Sequence, residues 1–341
     1  MTPRHLMMCA AAGLTAGTLW GTDKVLAAES ATSVYLLGSR GAMAGFTPPP
    51  GLYVADANYF YSGSASGTAA KGVALPRLQG NVSAEIEVDG KAYYNIPTAV
   101  WVSPQQVLGG NVGFSVMMPI GWKDVGVDLT AQGTFTLPPP LGVTLNPGLS
   151  FSFADDKTAF GDPLLSSFIG WHSGNWHWNV GVMVNVPIGQ WETGQLANIG
   201  FNRWAFDFTG ALTWFDPKSG LELSGAAGVT FNTENHDTDY KSGTDFHLEF
   251  AAVQHFSKQF AIGLVGYHYQ QLTGDSGAGA VLGDFKGRVT ALGPTLTYDF
   301  VLGQIPVMTS LKWMHEFNVE NRLKGDMALL TLTVPLGPPP K

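Results

Sequence analysis

The chain is 341 residues long with a formal net charge of −8, and only 13% of its residues are charged, against about 25% in ordinary soluble domains. With 43 glycines and 12% aromatics, the composition argues against a helical bundle, and the acidic balance argues against nucleic acid as a partner. No stretch approaches the roughly 20 uninterrupted apolar residues of a membrane helix, so any membrane role falls to strands.

At the N-terminus, Arg4 and His5 precede an apolar, small-residue run over residues 6–20, and Val25-Leu26-Ala27 offers the small or apolar side chains that a signal peptidase reads. Residues 1–27 are expected to be a signal peptide, cut after Ala27 or Ala28. Cys9 lies inside it, so the mature chain is expected to have no disulfide or thiolate chemistry. Cleavage removes Arg4, Lys24 and Asp23, which takes the charge from −8 to −9.

Residues 28–50 form a Gly/Pro-rich segment ending in Pro48-Pro49-Pro50. A stiff lead-in to the first strand is favoured there over a mobile plug, because proline fixes φ. Arg40 is the one charge in the glycine-rich stretch 38–45, and a carboxylate inside a barrel could hold it.

Residues 51–341 read as a succession of strands. Between 51 and 162 the expected strands are 52–62, 81–88, 92–102, 111–118 and 125–136, with Asp89-Gly90 as a hairpin signal between the second and third. Further along, SGNWHWNVGVMVNVPIG (173–189) places Trp176, Trp178, Val180, Val182, Val184 and Val186 on one face. His177, Asn179 and Asn185 fall on the other, since strand side chains alternate. Residues 203–215 repeat the pattern, with Trp204, Phe206, Phe208, Leu212 and Trp214 opposite Asp207, Thr209 and Thr213. Two tryptophans ten residues apart on a strand tilted by about 40° are separated by roughly 25 Å along the membrane normal, the height of an outer-membrane apolar band. Residues 221–231, 244–256 and 305–317 alternate in the same way.

From residue 163 onward, short links at 172–174, 216–219, 257–258 and 302–304 alternate with long ones at 188–202, 232–243, 272–286 and 318–326. That is the pattern of a barrel with short periplasmic turns and long external loops. Nine strands fit this half, and five before it make fourteen, or twelve if 82–102 is one long strand. A soluble sandwich would also alternate, but its outer faces would be dense in Lys and Glu, whereas the wetter face here is Asn, Ser, Thr and Gly. The fold class expected is all-β, an antiparallel transmembrane β-barrel.

Parity sends the strand charges inward, because charge facing lipid is costly. The lumenal candidates are Asp207, Glu222, Asp245, His247, Glu249, Lys312 and Glu316. Their plainer role is a hydrogen-bonded filling of a narrow barrel, and the functional alternative is solute selection. Near a loop, Tyr267, Tyr269, Gln271 and Asp275 join the substrate-path candidates, although the two tyrosines are read first as an interfacial girdle. The loop NTENHDTDYKSG (232–243) has hard oxygen ligands but lacks EF-hand spacing, so no metal site is expected. No Gly-x-Ser-x-Gly elbow or His-Glu-x-x-His motif occurs, and neither catalysis nor a cofactor is expected.

The stretches YLLGSRGAMAGFTPPPG (35–51), GDPLLSSFIGW (161–171), VNVPIGQW (184–191), NIGFNRW (198–204), FNTENHDTDYKSG (231–243), GYHYQQLTGDSG (266–277) and ALGPTLTYDF (291–300) resemble the outer-membrane meta-pathway phenol-degradation family, also called SphA-like. The resemblance spans almost the whole mature chain. It implies a barrel in the Gram-negative outer membrane that admits small hydrophobic or aromatic compounds, distantly similar to the fatty-acid transporter FadL. The alternative is a structural envelope barrel without a permeation path. Lipid, lipopolysaccharide and the barrel-assembly machinery would be its partners. Two features depart from the wider pattern: fewer residues precede the first strand than a FadL-type hatch needs, and the chain ends Pro338-Pro339-Pro340-Lys341 rather than in an aromatic residue.

Overall fold

A computed structural model describes residues 22–23, 32–75, 78–136, 143–280 and 283–336. The expected cleavage site and Cys9 lie outside the described residues. Sixteen strands carry the fold, numbered in chain order: β1 (Gly51–Leu75), β2 (Leu78–Val107), β3 (Gly110–Met117), β4 (Ile120–Thr136), β5 (Thr144–Leu145), β6 (Gly148–Phe160), β7 (Leu164–Ser173) and β8 (Trp176–Asn185). The second half supplies β9 (Ala205–Asp216), β10 (Leu221–Asn232), β11 (Asp245–His255), β12 (Phe260–Gln271), β13 (Arg288–Tyr298), β14 (Phe300–Leu302), β15 (Ile305–Glu320) and β16 (Lys324–Leu336).

Twelve of these close an antiparallel ring in the order β1, β2, β3, β7 to β13, β15 and β16. Closure comes from β16 against β1, in register from Lys324↔Ser64 to Leu336↔Leu52. On the far side β3 pairs directly with β7, from Asn111↔Gly170 to Met117↔Leu164, so β4 to β6 leave the ring between them. Closing the ring removes every free edge from it.

The nine strands expected after residue 163 are all present in the ring. Before it, the ring holds three strands rather than five, which makes twelve rather than fourteen: β2 runs unbroken through Asp89-Gly90 and merges two expected strands, and the strand expected at 125–136, β4, is not part of the ring. No hairpin forms there, since β2 is one continuous partner for β3 and β4. The link expected at 318–326 shrinks to residues 321–323 because β15 and β16 extend into it. Strand β6 was not anticipated.

Segments Ser66–Val88 and Val127–Phe153 belong to a separate compact unit. Within it β4 pairs with β6 and, at Phe135↔Leu145 and Thr136↔Thr144, with β5.

Ring strands alternate as their sequences require. On β9, Asp207, Thr209, Ala211 and Thr213 are buried, whereas Phe206, Phe208 and Leu212 are exposed. The exposed set continues around the ring with Leu223, Phe250, Leu264, Leu311 and Trp313, the oily exterior of a membrane barrel. Not every acid among the described residues follows the inward rule. Asp56 lies opposite Leu332 on the outward face, and its carboxylate is supplied with donors there by the amides of Asn95 at 2.7 Å and Asn58 at 3.0 Å.

Candidate functional site

All eleven candidate residues are buried: Asp207, Glu222, Asp245, His247, Glu249, Tyr267, Tyr269, Gln271, Asp275, Lys312 and Glu316. The girdle reading of Tyr267 and Tyr269 is overturned, as each is only 1% exposed. Parity explains it. Ile262 and Leu264 face outward on the same strand, so the odd-numbered positions of β12 point into the barrel.

Much of what these residues touch is the N-terminal segment, which occupies the interior as a plug. Val34, Tyr35, Leu37 and Thr47 are buried. Tyr35 donates its hydroxyl to Glu249 Oε1 at 2.9 Å, and the Gly38 amide reaches the same oxygen at 3.0 Å. Burial pushes the Tyr35 hydroxyl well above the ordinary tyrosine range, which keeps it a donor. Glu222 accepts the Met43 amide at 2.6 Å, and Thr213 accepts that of Gly45 at 2.9 Å. The Lys312 ammonium binds the carbonyls of Gly38, Ser39 and Arg40 at 2.9, 3.1 and 2.5 Å. Arg40 does not meet the expected carboxylate; its guanidinium donates to Asn179 Oδ1 at 3.2 Å and to the Ala44 carbonyl at 3.4 Å.

Two glycines permit this seating. Gly38 has φ +83, a left-handed conformation that L side chains rarely adopt. At Gly45 a Cβ would come within 2.4 Å of the His177 carbonyl and 2.6 Å of the Thr213 amide. The lead-in role expected for this segment belongs to residues 48–50, where the Pro49 carbonyl accepts the Tyr53 hydroxyl at 2.8 Å.

Against the plug the barrel wall packs a cluster in which Tyr35 meets Tyr59, Tyr61, Tyr267 and Tyr269 with Met314, Met327 and Leu329. Its carboxylates are saturated by tyrosine. Glu316 accepts from Tyr267 at 2.7 Å, Tyr61 at 2.8 Å and the Gly325 amide at 2.9 Å. Asp245 accepts from Tyr269 at 2.6 Å and Asn232 at 3.1 Å. Arg322, from the turn between β15 and β16, lies over the Tyr269 ring at 4.2 Å. The result is an aromatic interior with few free charges, suited to apolar and aromatic solutes.

The long loops at this end are stitched together. Asp162 gathers GDPLLSSFIGW, VNVPIGQW and NIGFNRW by accepting from Asn185 at 2.9 Å, the Gly189 amide at 2.7 Å and the Phe201 amide at 2.8 Å. Asp275 likewise joins the two later loops, accepting from Gln271 at 2.5 Å, the Gly243 amide at 2.9 Å and the Tyr240 hydroxyl. The acidic loop is sewn in the same way, with Asn202 donating to Asn235 and Asp237 at 2.9 and 2.8 Å. Sequence reasoning missed Asp162, Arg322 and the plug residues other than Arg40. The signal for Asp162 was its position in one of three quoted stretches that proved to meet in space.

A family model described as "Putative MetA-pathway of phenol degradation" matches residues 74–332. Among solved structures, an outer membrane channel from Pseudomonas putida F1 is similar with a TM-score of 0.58 and 14% identity, covering 85% of this chain and 97% of that one. A Pseudomonas aeruginosa FadL homologue aligns with a TM-score of 0.38 and 9% identity over 83% of this chain and 89% of that one. The CymD monoaromatic hydrocarbon channel gives 0.36 and 8%, over 85% and 89%. No curated protein matches the sequence. The likeness to the Pseudomonas putida F1 structure gives the fold as an outer-membrane β-barrel.

Proposed function

Because the chain belongs to the MetA-pathway phenol-degradation family, we propose that it is a passive channel of the Gram-negative outer membrane that takes up small hydrophobic compounds, aromatic ones included. The observation that carries this reading is the tyrosine-rich interior packed against a plug held through hydrogen bonds. An apolar solute would collect among the loops, dissolve among the tyrosine faces and pass as the plug shifts. No step requires catalysis. Residues 1–27 act as the secretion signal in this reading, and the barrel-assembly machinery, lipid and lipopolysaccharide are its partners.

Uptake of a radiolabelled aromatic hydrocarbon such as naphthalene tests it: complemented cells should accumulate label faster than deletion cells, and equal uptake would defeat the reading. The many bonds from wall to plug favour one rival, an envelope barrel that stays shut. A purified barrel silent in planar bilayers, with and without solute, would select that rival.

A further inference from the structure

The exterior of β8 to β11 carries an apolar groove of about 790 Å³. Its floor is Gly210, Gly225 and Ala227, and Trp178, Trp214, Leu223 and Leu248 rise around it. Register explains the dent: Gly210 stands between Val180 and Ala227, and Gly225 faces Leu212. Small residues thus meet across two strands whose other outward positions carry Leu, Val, Phe or Trp.

Packing does not demand these glycines. A Cβ at Gly210 would have its nearest contact at 3.9 Å, and one at Gly225 at 3.6 Å, both ordinary van der Waals distances. The backbone there needs no glycine, so what the two residues provide is the notch itself. An unfilled notch forfeits dispersion contacts for everything that lines it.

The groove is continuous with the lipid-facing exterior and lies toward the short-turn end, where Trp176 and Trp214 are paired across strands. Tryptophan favours the membrane interface, and short turns mark the periplasmic side. The turn at 217–220 that joins β9 to β10 carries the exposed Lys218, a cation at the level where a phosphate headgroup would lie.

We propose that this groove is a binding site for one phospholipid of the periplasmic leaflet, with an acyl chain laid over Gly210, Gly225 and Ala227 and an anionic headgroup beside Lys218. The inference stands independently of what the channel carries.

Native mass spectrometry of the full barrel, reconstituted with phosphatidylglycerol or phosphatidylethanolamine and then stripped in detergent, tests it. Wild type should retain one phosphatidylglycerol, and a Gly210→Leu/Gly225→Leu variant should retain at least tenfold less while keeping the heat-modifiable gel mobility of a folded barrel. Lys218→Gln should keep the lipid but lose a preference of about fivefold for the anionic headgroup, the effect of one near-surface lysine. Equal retention by the filled variant would overturn the proposal. So would a filled variant that keeps its lipid but loses solute uptake, because the groove would then serve the solute.

Discussion

The ring of Tyr35 stacks on the imidazole of His247 with centroids 3.5 Å apart and planes 13° from parallel. One partner belongs to the plug and the other to β11, and the Tyr35 hydroxyl continues to Glu249 on the same strand. Tyr35→Phe should keep the stack and lose the hydrogen bond, weakening the plug by about 1–2 kcal/mol. Tyr35→Ala removes both and should raise the conductance of the barrel in planar bilayers well above that of Tyr35→Phe. The same conductance in both variants and in wild type would mean that Tyr35 does not hold the interior closed.

Lys312 makes a sharper test, since one ammonium holds three consecutive carbonyls of the plug. Hydrogen bonds to a charged donor contribute roughly 1.5–3 kcal/mol each in favourable cases. Lys312→Met keeps much of the side-chain volume and removes all three. Arg40 sits inside the segment that Lys312 grips, so trypsin reports on it directly: cleavage after Arg40 should be slow in wild type and at least tenfold faster in Lys312→Met. Protection of Arg40 in both would show that the remaining contacts suffice.

What was legible in advance follows from the physics of alternation. Nine strands after residue 163 could be placed because each carries a two-residue period with its apolar set on one side, as in Phe206, Phe208 and Leu212 against Asp207, Thr209 and Thr213. The same parity put Glu222, Glu249 and Lys312 inside. Applied to Ile262 and Leu264, it would have turned Tyr267 and Tyr269 inward as well. A plug stood only as the second reading of the N-terminal segment and its contacts were not legible, because a glycine-rich segment has no period and its partners lie more than a hundred residues away, as with Tyr35 and Glu249. Asp89-Gly90 misled for a related reason: a turn dipeptide is a local signal, and continuous pairing along β2 overrides it.

Asp162 accepts a side-chain amide and two backbone amides from residues on both sides of the 186–204 connection. Its replacement strands buried donors, and each such donor costs about 1–3 kcal/mol. Asp162→Ala should therefore free this loop locally while the ring persists. Cleavage after Glu192 by a glutamate-specific protease is expected to accelerate strongly, with unchanged heat-modifiable gel mobility. Asp162→Asn, which keeps one acceptor oxygen, should fall between the two. Loss of the folded band in Asp162→Ala would instead mean that the bracket supports the barrel itself.

Glu316 accepts the hydroxyls of Tyr61 from β1 and Tyr267 from β12, so two well-separated strands satisfy one carboxylate. Removing either hydroxyl leaves the other donor and the Gly325 amide in place, and Tyr61→Phe or Tyr267→Phe alone should cost about 1 kcal/mol. Removing both leaves a buried carboxylate with a single donor, and the penalty should exceed the sum of the two because neighbours in one hydrogen-bond network do not add. Urea unfolding of the four proteins in detergent closes the cycle, and a coupling of at least about 0.5 kcal/mol is expected. Strict additivity would show that the two tyrosines act on separate partners and that the barrel wall is not held together through Glu316.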